Sequence, residues 1–287
     1  NNTNSIDGVF YKISKILISL ALLANGNNLK SDADREQGMI IKIIYDNTSV
    51  AGYKADWGFS CVINDSILFD TGDDPEILRK NFELMGLKIC DIKIVFLSHK
   101  HKDHTGGLKY LLNSGDFSAK IYCTSDTRKF IKKMPGIGNS DLEVIKEFSE
   151  IASNIYTTGI IDGTYKGKAL EEQSLVIQNN GEIGIIAGCS HPGIIDIVKS
   201  VKEDFPTAEI SFVIGGFHFV DSGEKIIKET AETLKSLSVK KAGPCHCSGA
   251  KAKNIFRKIY KDNFIEIDAG RILELNDLFK LVKARKK

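Results

Sequence analysis

Apolar and polar positions alternate along this chain in short runs that switch between a strand-like and a helix-like period. The first run, ILISLALLA at residues 16–24, follows Lys12 and Lys15 and predicts a docked apolar helix that ends near Asn25-Gly26. It is too short to cross a membrane. It has the charged and apolar regions of a signal peptide but no small-x-small cleavage pattern, so export stands as the alternative. Residues 27–38 (NNLKSDADREQG) read as a polar linker, which divides the chain into 1–38 and a main domain over 39–287. From Met39 the pattern is regular. MIIKIIYDN predicts a first strand, and FSCVIND and SILFD a hairpin turning at Asn64-Asp65. Pro75 opens a helix capped by Asp73 or Asp74 that runs to Met85 before Gly86. Residues 92–98 (IKIVFLS) predict a short buried strand, which leads into HKHKDHTGGL and a helix to Asn113.

KIYCTS, YTTGII, SLVIQ and EIGIIAG predict further strands, the last two joined by the hairpin signal Asn179-Asn180-Gly181. A helix follows His191-Pro192, then come the strand EISFVIGG and an amphipathic helix over 222–237. A strand over 239–243 meets PCHCSG, a helix runs to Tyr260, and FIEID and RILEL close the domain. Strands occur both in hairpins and in alternation with helices. That mixture predicts an α+β sandwich of sheets with outer helices rather than a doubly wound sheet.

The 287 residues are 42% hydrophobic and 26% charged, which excludes a disordered chain, a fibre and a multi-span membrane protein. A net charge of +2 gives no basic excess for nucleic acid, and the basic end KLVKARKK reads as a solvated tail. The six cysteines are spread out with no CxxC, so reduced thiols and a cytoplasmic location are expected. The apolar first segment is compatible with a homo-oligomer.

The six histidines change the picture, because His99, His101 and His104 fall within six residues, directly after a buried strand. Imidazole is the commonest metal ligand. His99 and His101, two apart in an extended turn, can close on one ion, while Asp103 and His104 point toward a neighbouring one as a helix begins. His191, His218 and His246 each follow an apolar run. Trp57, the single tryptophan, lies on a loop between strands, with core and pocket-wall roles both open. No P-loop is present.

The run HKHKDH resembles the HxHxDH signature of the metallo-β-lactamase superfamily, supported by the upstream LFDTG at residues 68–72. WGFSCVI, GCSHPGI, GGFH and PCHCSG resemble one branch, over about residues 39–275. That branch holds a synthase condensing a dihydropterin diphosphate with an aminobenzene ribofuranosyl phosphate, and proteins described as metal-dependent hydrolases. The resemblance implies an αββα sandwich of two mixed β-sheets with outer helices. It implies one or two divalent metal ions, zinc first, with iron or manganese also compatible. His99, His101 and His191 would hold one ion; Asp103, His104 and His246 would hold the other. Asp70 would anchor the ligand loop through a hydrogen bond. Asp103, besides being a ligand, and His218 would be the catalytic residues, with His218 left to contact substrate or move a proton and Trp57 beside the substrate. Many members bridge their ions with an aspartate, yet Cys189-Ser190-His191 follows strand 182–188 here. A site joined through water alone, or holding one ion, is therefore expected, and Cys189, Cys245 and Cys247 are expected to pack behind the ligands. The implied partner is a small molecule, pterin- or phosphate-bearing, with no nucleic acid and no stable membrane span. The synthase reaction would release diphosphate. Hydrolysis of a phosphoester or lactone, and a non-catalytic metal- or ligand-binding sensor, are the alternatives.

Overall fold

The structure is a computed structural model that describes residues 39–280. The apolar helix and linker expected over 1–38, and all but the first residue of the basic end, lie outside the described residues.

Strands β1 (Ile40–Tyr45), β2 (Ser60–Ile63) and β3 (Ile67–Phe69) form an antiparallel meander. Asn64 and Asp65, both at positive φ, make the β2–β3 turn where the sequence placed it. Helix α1 (Pro75–Leu84) starts from Asp74, whose carboxylate accepts from the Glu76 N–H. Strand β4 (Ile94–Phe96) leads into α2 (Lys102–Thr105) and α3 (Leu108–Leu112), two short helices where one was expected. Strand β5 (Lys120–Tyr122), α4 (Ser125–Ile131) and β6 (Leu142–Glu143) complete this half, with β3 to β6 running parallel.

The second half holds β7 (Ser149–Ala152), β8 (Ile155–Thr157), the hairpin β9 (Ile161–Tyr165) and β10 (Lys168–Glu172), β11 (Leu175–Asn179) and β12 (Glu182–Ala187). Then follow α5 (Ile194–Asp204), β13 (Glu209–Gly216), α6 (Glu224–Ser236), β14 (Lys241–Cys245), α7 (Gly249–Tyr260), β15 (Ile272–Glu274) and α8 (Leu275–Phe279). One seven-stranded sheet has the order β15-β1-β2-β3-β4-β5-β6, and one six-stranded sheet the order β14-β13-β12-β11-β8-β7. Both mix parallel and antiparallel pairs, and β9–β10 stands apart as a two-stranded ribbon.

The period-2 pattern sorts side chains into layers. Ile41 and Ile43 of β1 and Phe69 of β3 meet Ile186 of β12 and Phe212 and Ile214 of β13 between the sheets. The alternate residues Ile44 and Leu68 pack outward on Leu78 and Phe82 of α1 and Leu108 and Leu111 of α3. On the far side Ile185 and Val213 pack on Ile197 and Val201 of α5, Ile227 of α6 and Phe256 of α7. These are the four layers of an αββα sandwich. Sheets covered on both faces need nearly continuous apolar runs, which explains IIKII, EIGIIA and EISFVI.

The carboxyl ends of β3, β4, β12, β13 and β14 open at one rim. Loops there are free to carry chemistry on a rigid base.

Candidate metal centre

The loop after β4 is clamped before it turns into α2. A Cβ at Gly107 would come 2.0 Å from the Thr71 carbonyl oxygen, and one at Gly106 would come 2.1 Å from that of Asp73. Only glycine lets the 99–107 loop lie this close to the loop after β3. Asp70, at φ 51, turns its carboxylate under the ligand loop. It accepts from the Ser98 N–H and the Ser98 hydroxyl, both at 2.7 Å, and pairs with His104 Nδ1 at 2.6 Å. The anchoring expected of Asp70 thus has a geometry.

Each remaining buried imidazole is also held through one ring nitrogen. His99 Nδ1 meets Ser98 Oγ at 2.9 Å, His191 Nδ1 meets Glu172 Oε2 at 2.8 Å, and His246 Nδ1 meets Asn47 Oδ1 at 3.0 Å. Such contacts fix tautomer and ring orientation. The other nitrogens converge. His99 Nε2 and His101 Nδ1 are 3.1 Å apart, and the His191 ring lies 4.7 Å from that of His99. Beside them, Asp103 Oδ2 lies 3.7 Å from His104 Nε2 and 3.1 Å from His246 Nε2. The two sets touch, with the His99 and His104 rings 4.2 Å apart. Nε2 of His191 and of His246 are buried and make no hydrogen bond among the described residues. A buried His191 Nε2 without a hydrogen bond beside His99 and His101, and a carboxylate that faces both His104 Nε2 and His246 Nε2, fit divalent ions bound by nitrogen and oxygen.

Electrostatics agree with that fit at His99, His101 and Asp103, whereas His104 is held toward its charged form by its two carboxylates. Burial and the surrounding imidazoles push His99 well below its ordinary value, and burial with His191 brings His101 to about 4, so both are neutral donors. Burial opposes the charge on Asp103, but His104 and His246 outweigh it and hold the carboxyl below its usual range. Burial likewise opposes a charged His104, yet Asp70 and Asp103 raise it to about 9. Glu172 is fully enclosed, which favours its neutral form, but His191 and backbone N–H groups hold it low.

His218 stands on the same rim, half-buried at φ 54, its ring 4.7 Å from that of His191 and its Nδ1 without a hydrogen bond. It belongs to neither set. Trp57 is 45% exposed, which excludes the core role; its Nε1 donates to Asp103 Oδ2 at 2.9 Å and its ring lies 4.8 Å from that of His246. Sequence reasoning missed Glu172, Asn47 and Tyr165, whose ring on the β9–β10 ribbon lies 4.6 Å from that of His101. It placed Cys189 behind the ligands. In the structure Cys189 Sγ lies inside the cluster, 3.1 Å from His104 Nε2.

Asp70→Asn keeps the shape but removes the charge that orients His104. Metal retention is expected to fall about 10- to 100-fold, read by competition with a chromophoric chelator. Unchanged retention would show that Asp70 has no part in ligand orientation.

Comparison with known proteins gives a consistent set of relatives. The profile of the metallo-β-lactamase superfamily matches residues 62–185. A 7,8-dihydropterin-6-methyl-4-(β-D-ribofuranosyl)-aminobenzene-5'-phosphate synthase of Methanocaldococcus jannaschii is 30% identical over 253 residues, covering 74% of this chain and 85% of that protein. An uncharacterised protein of the same organism is 30% identical over 263 residues, covering 82% of this chain and 99% of its own. Among solved structures, a metal-dependent hydrolase of the β-lactamase superfamily superposes with a TM-score of 0.67 at 27% identity, covering 82% of this chain and 98% of that one.

Proposed function

The chain belongs to the metallo-β-lactamase superfamily, and from that membership we propose that it is a two-ion enzyme that joins a pterin diphosphate to an arylamine. The observation that carries this reading is the pair of convergent donor sets in a chain 30% identical to a pterin-linked synthase. His99, His101 and His191 would hold one ion, and Asp103, His104 and His246 the other. Zinc suits three imidazoles and a mixed imidazole–carboxylate set; iron and manganese are compatible with the same donors. When bound, the ions supply Lewis-acid stabilisation of a phosphoryl oxygen.

The chain's own residues do the rest. Asp70, Ser98, Glu172 and Asn47 hold the imidazoles in one orientation, so no reorganisation is needed as charge develops. In the proposed reaction the arylamine nitrogen bonds to the pterin methylene carbon as its C–O bond breaks. The electron pair leaves with diphosphate, and the nitrogen sheds a proton. His218, whose half-buried ring lies 4.7 Å from that of His191, would contact substrate or accept that proton. Trp57 and Tyr165 flank the rim with apolar ring surface for a planar substrate. No helix of the described residues is long and apolar enough to cross a membrane. All six cysteines are free thiols, which supports a reducing, cytoplasmic setting.

Hydrolysis of a phosphoester or lactone is the second reading, favoured by the 27% identity to a metal-dependent hydrolase. One assay separates the two. With a hydroxymethyl-dihydropterin diphosphate as substrate, diphosphate release is expected to require the arylamine. Release at the same rate without the amine would make the protein a hydrolase.

A further inference from the structure

We infer that Cys189 supplies a thiolate shared by both ions, in the place where a bridging carboxylate or water alone would otherwise serve. The inference rests on the metal-enzyme reading above and concerns which side chain joins the two halves of the centre.

The donor atoms of Asp103, His104, Cys189 and His246 lie within 4.8 Å of one another, and so do those of His99, Cys189 and His191. Among the described residues, Cys189 is the only one common to these two groups. Its sulfur is buried and lies 3.1 Å from His104 Nε2. A tetrahedral ion with nitrogen at about 2.0 Å and sulfur at about 2.3 Å holds such donors roughly 3.5 Å apart, so the spacing suits ligands of one ion.

The backbone is built to hold the sulfur there. Glu172 Oε1 accepts from the Cys189 N–H at 2.9 Å and from the Ser190 N–H at 2.8 Å. Ser190 takes φ 59 and its hydroxyl donates to the Gly216 carbonyl at 2.6 Å. Strained turns of this kind persist where the surroundings over-determine them. The neighbouring strand end, which could have delivered a carboxylate, is closed to one. A Cβ at Gly216 would meet the Gly188 carbonyl oxygen at 2.5 Å and Cys247 Sγ at 2.6 Å. β13 therefore ends as bare backbone, with Cys247 Sγ and the Cys189 Cα packed against Gly216.

A thiolate carries the same single negative charge as a carboxylate but is softer. It favours zinc, cobalt or iron over manganese and magnesium. Cys189 also belongs to a third group with His218 and Cys247. That group reaches neither His99 nor Asp103, so it does not join the halves.

Cobalt(II) loaded into the purified full chain tests the assignment. Two cobalt ions per chain and a near-ultraviolet sulfur-to-cobalt charge-transfer band are expected. The band should vanish in Cys189→Ser, with at least one ion lost on dialysis, and persist in Cys247→Ser. X-ray absorption on the unsubstituted zinc protein avoids any folding defect of the variant; it should show one sulfur at about 2.3 Å per zinc. A band that survives Cys189→Ser, or one lost only in Cys247→Ser, overturns the inference. So does zinc bound without sulfur, which leaves the metal-enzyme reading standing. A chain that binds no metal at all overturns both.

Discussion

Replacing His99 and His101 together by alanine is expected to remove one ion per chain and to lower turnover by about a thousandfold or more. The reasoning starts from donor count. An ion facing His99 Nε2, His101 Nδ1 and His191 Nε2 keeps a single protein nitrogen after the double substitution. Lewis-acid stabilisation is worth several kcal/mol of transition-state energy, and each 1.36 kcal/mol is about tenfold in rate. Binding is also read independently of turnover. An ion present at about 1,000 times its Kd stabilises the folded state by about 4 kcal/mol, or roughly 10 °C in Tm for a domain of this size. The double variant should lose the part of that zinc-induced shift that belongs to the first ion. His99 is fully buried against three other imidazoles, so its truncation leaves a cavity. His101→Ala alone, at a half-buried position, separates the cavity from the lost donor. Unchanged metal content and an unchanged zinc shift in the double variant would sink the assignment of the first ion.

The ligand loop was readable because its chemistry is local. His99, His101, Asp103 and His104 sit on one turn after one strand, so residue type and spacing carry the geometry. The layers were readable for a similar reason, since Ile41 and Ile43 face one way and Ile44 the other on simple alternation. What supports the ligands was not readable. Asn47 meets His246 across 199 positions, and no periodicity links them. Cys189 looked like a packing residue, because buried thiols are common in cores; only the approach of His104 shows where the sulfur points. The strand expected over 239–243 is shifted to Lys241–Cys245. Lys241 at its start is buried and donates to the Leu278 carbonyl at 3.1 Å, tying α8 to the sheet. The β9–β10 ribbon was partly missed because Leu170 is its one buried apolar residue and Glu172, its other buried position, is charged, so no apolar face marks it as a core strand.

Glu172→Ala is expected to destabilise the fold by about 3–5 kcal/mol and to weaken the first ion with no ligand touched. One carboxylate here makes four contacts. Oε1 accepts from the N–H groups of Cys189 and Ser190, and Oε2 accepts from the His191 N–H and meets its Nδ1, all at 2.8–2.9 Å. The side chain is 1% exposed, so no water replaces it at these sites without rearrangement. Alanine would leave three buried backbone donors unsatisfied at about 1–3 kcal/mol each, partly relieved by relaxation of the turn. Glu172→Gln separates shape from charge: its amide oxygen still accepts, but its NH₂ faces donors on one side. Its cost should be smaller in denaturant unfolding, while His191 loses the anion that orients it. Both variants should show weaker zinc retention than the unsubstituted chain, with Glu172→Ala the weaker. Because Cys189 hangs on the same carboxylate, the cobalt–sulfur band should fall along with the His191-side ion. A Glu172→Ala protein that unfolds at the same denaturant concentration and keeps both ions would show that the 189–191 turn holds its shape without this carboxylate.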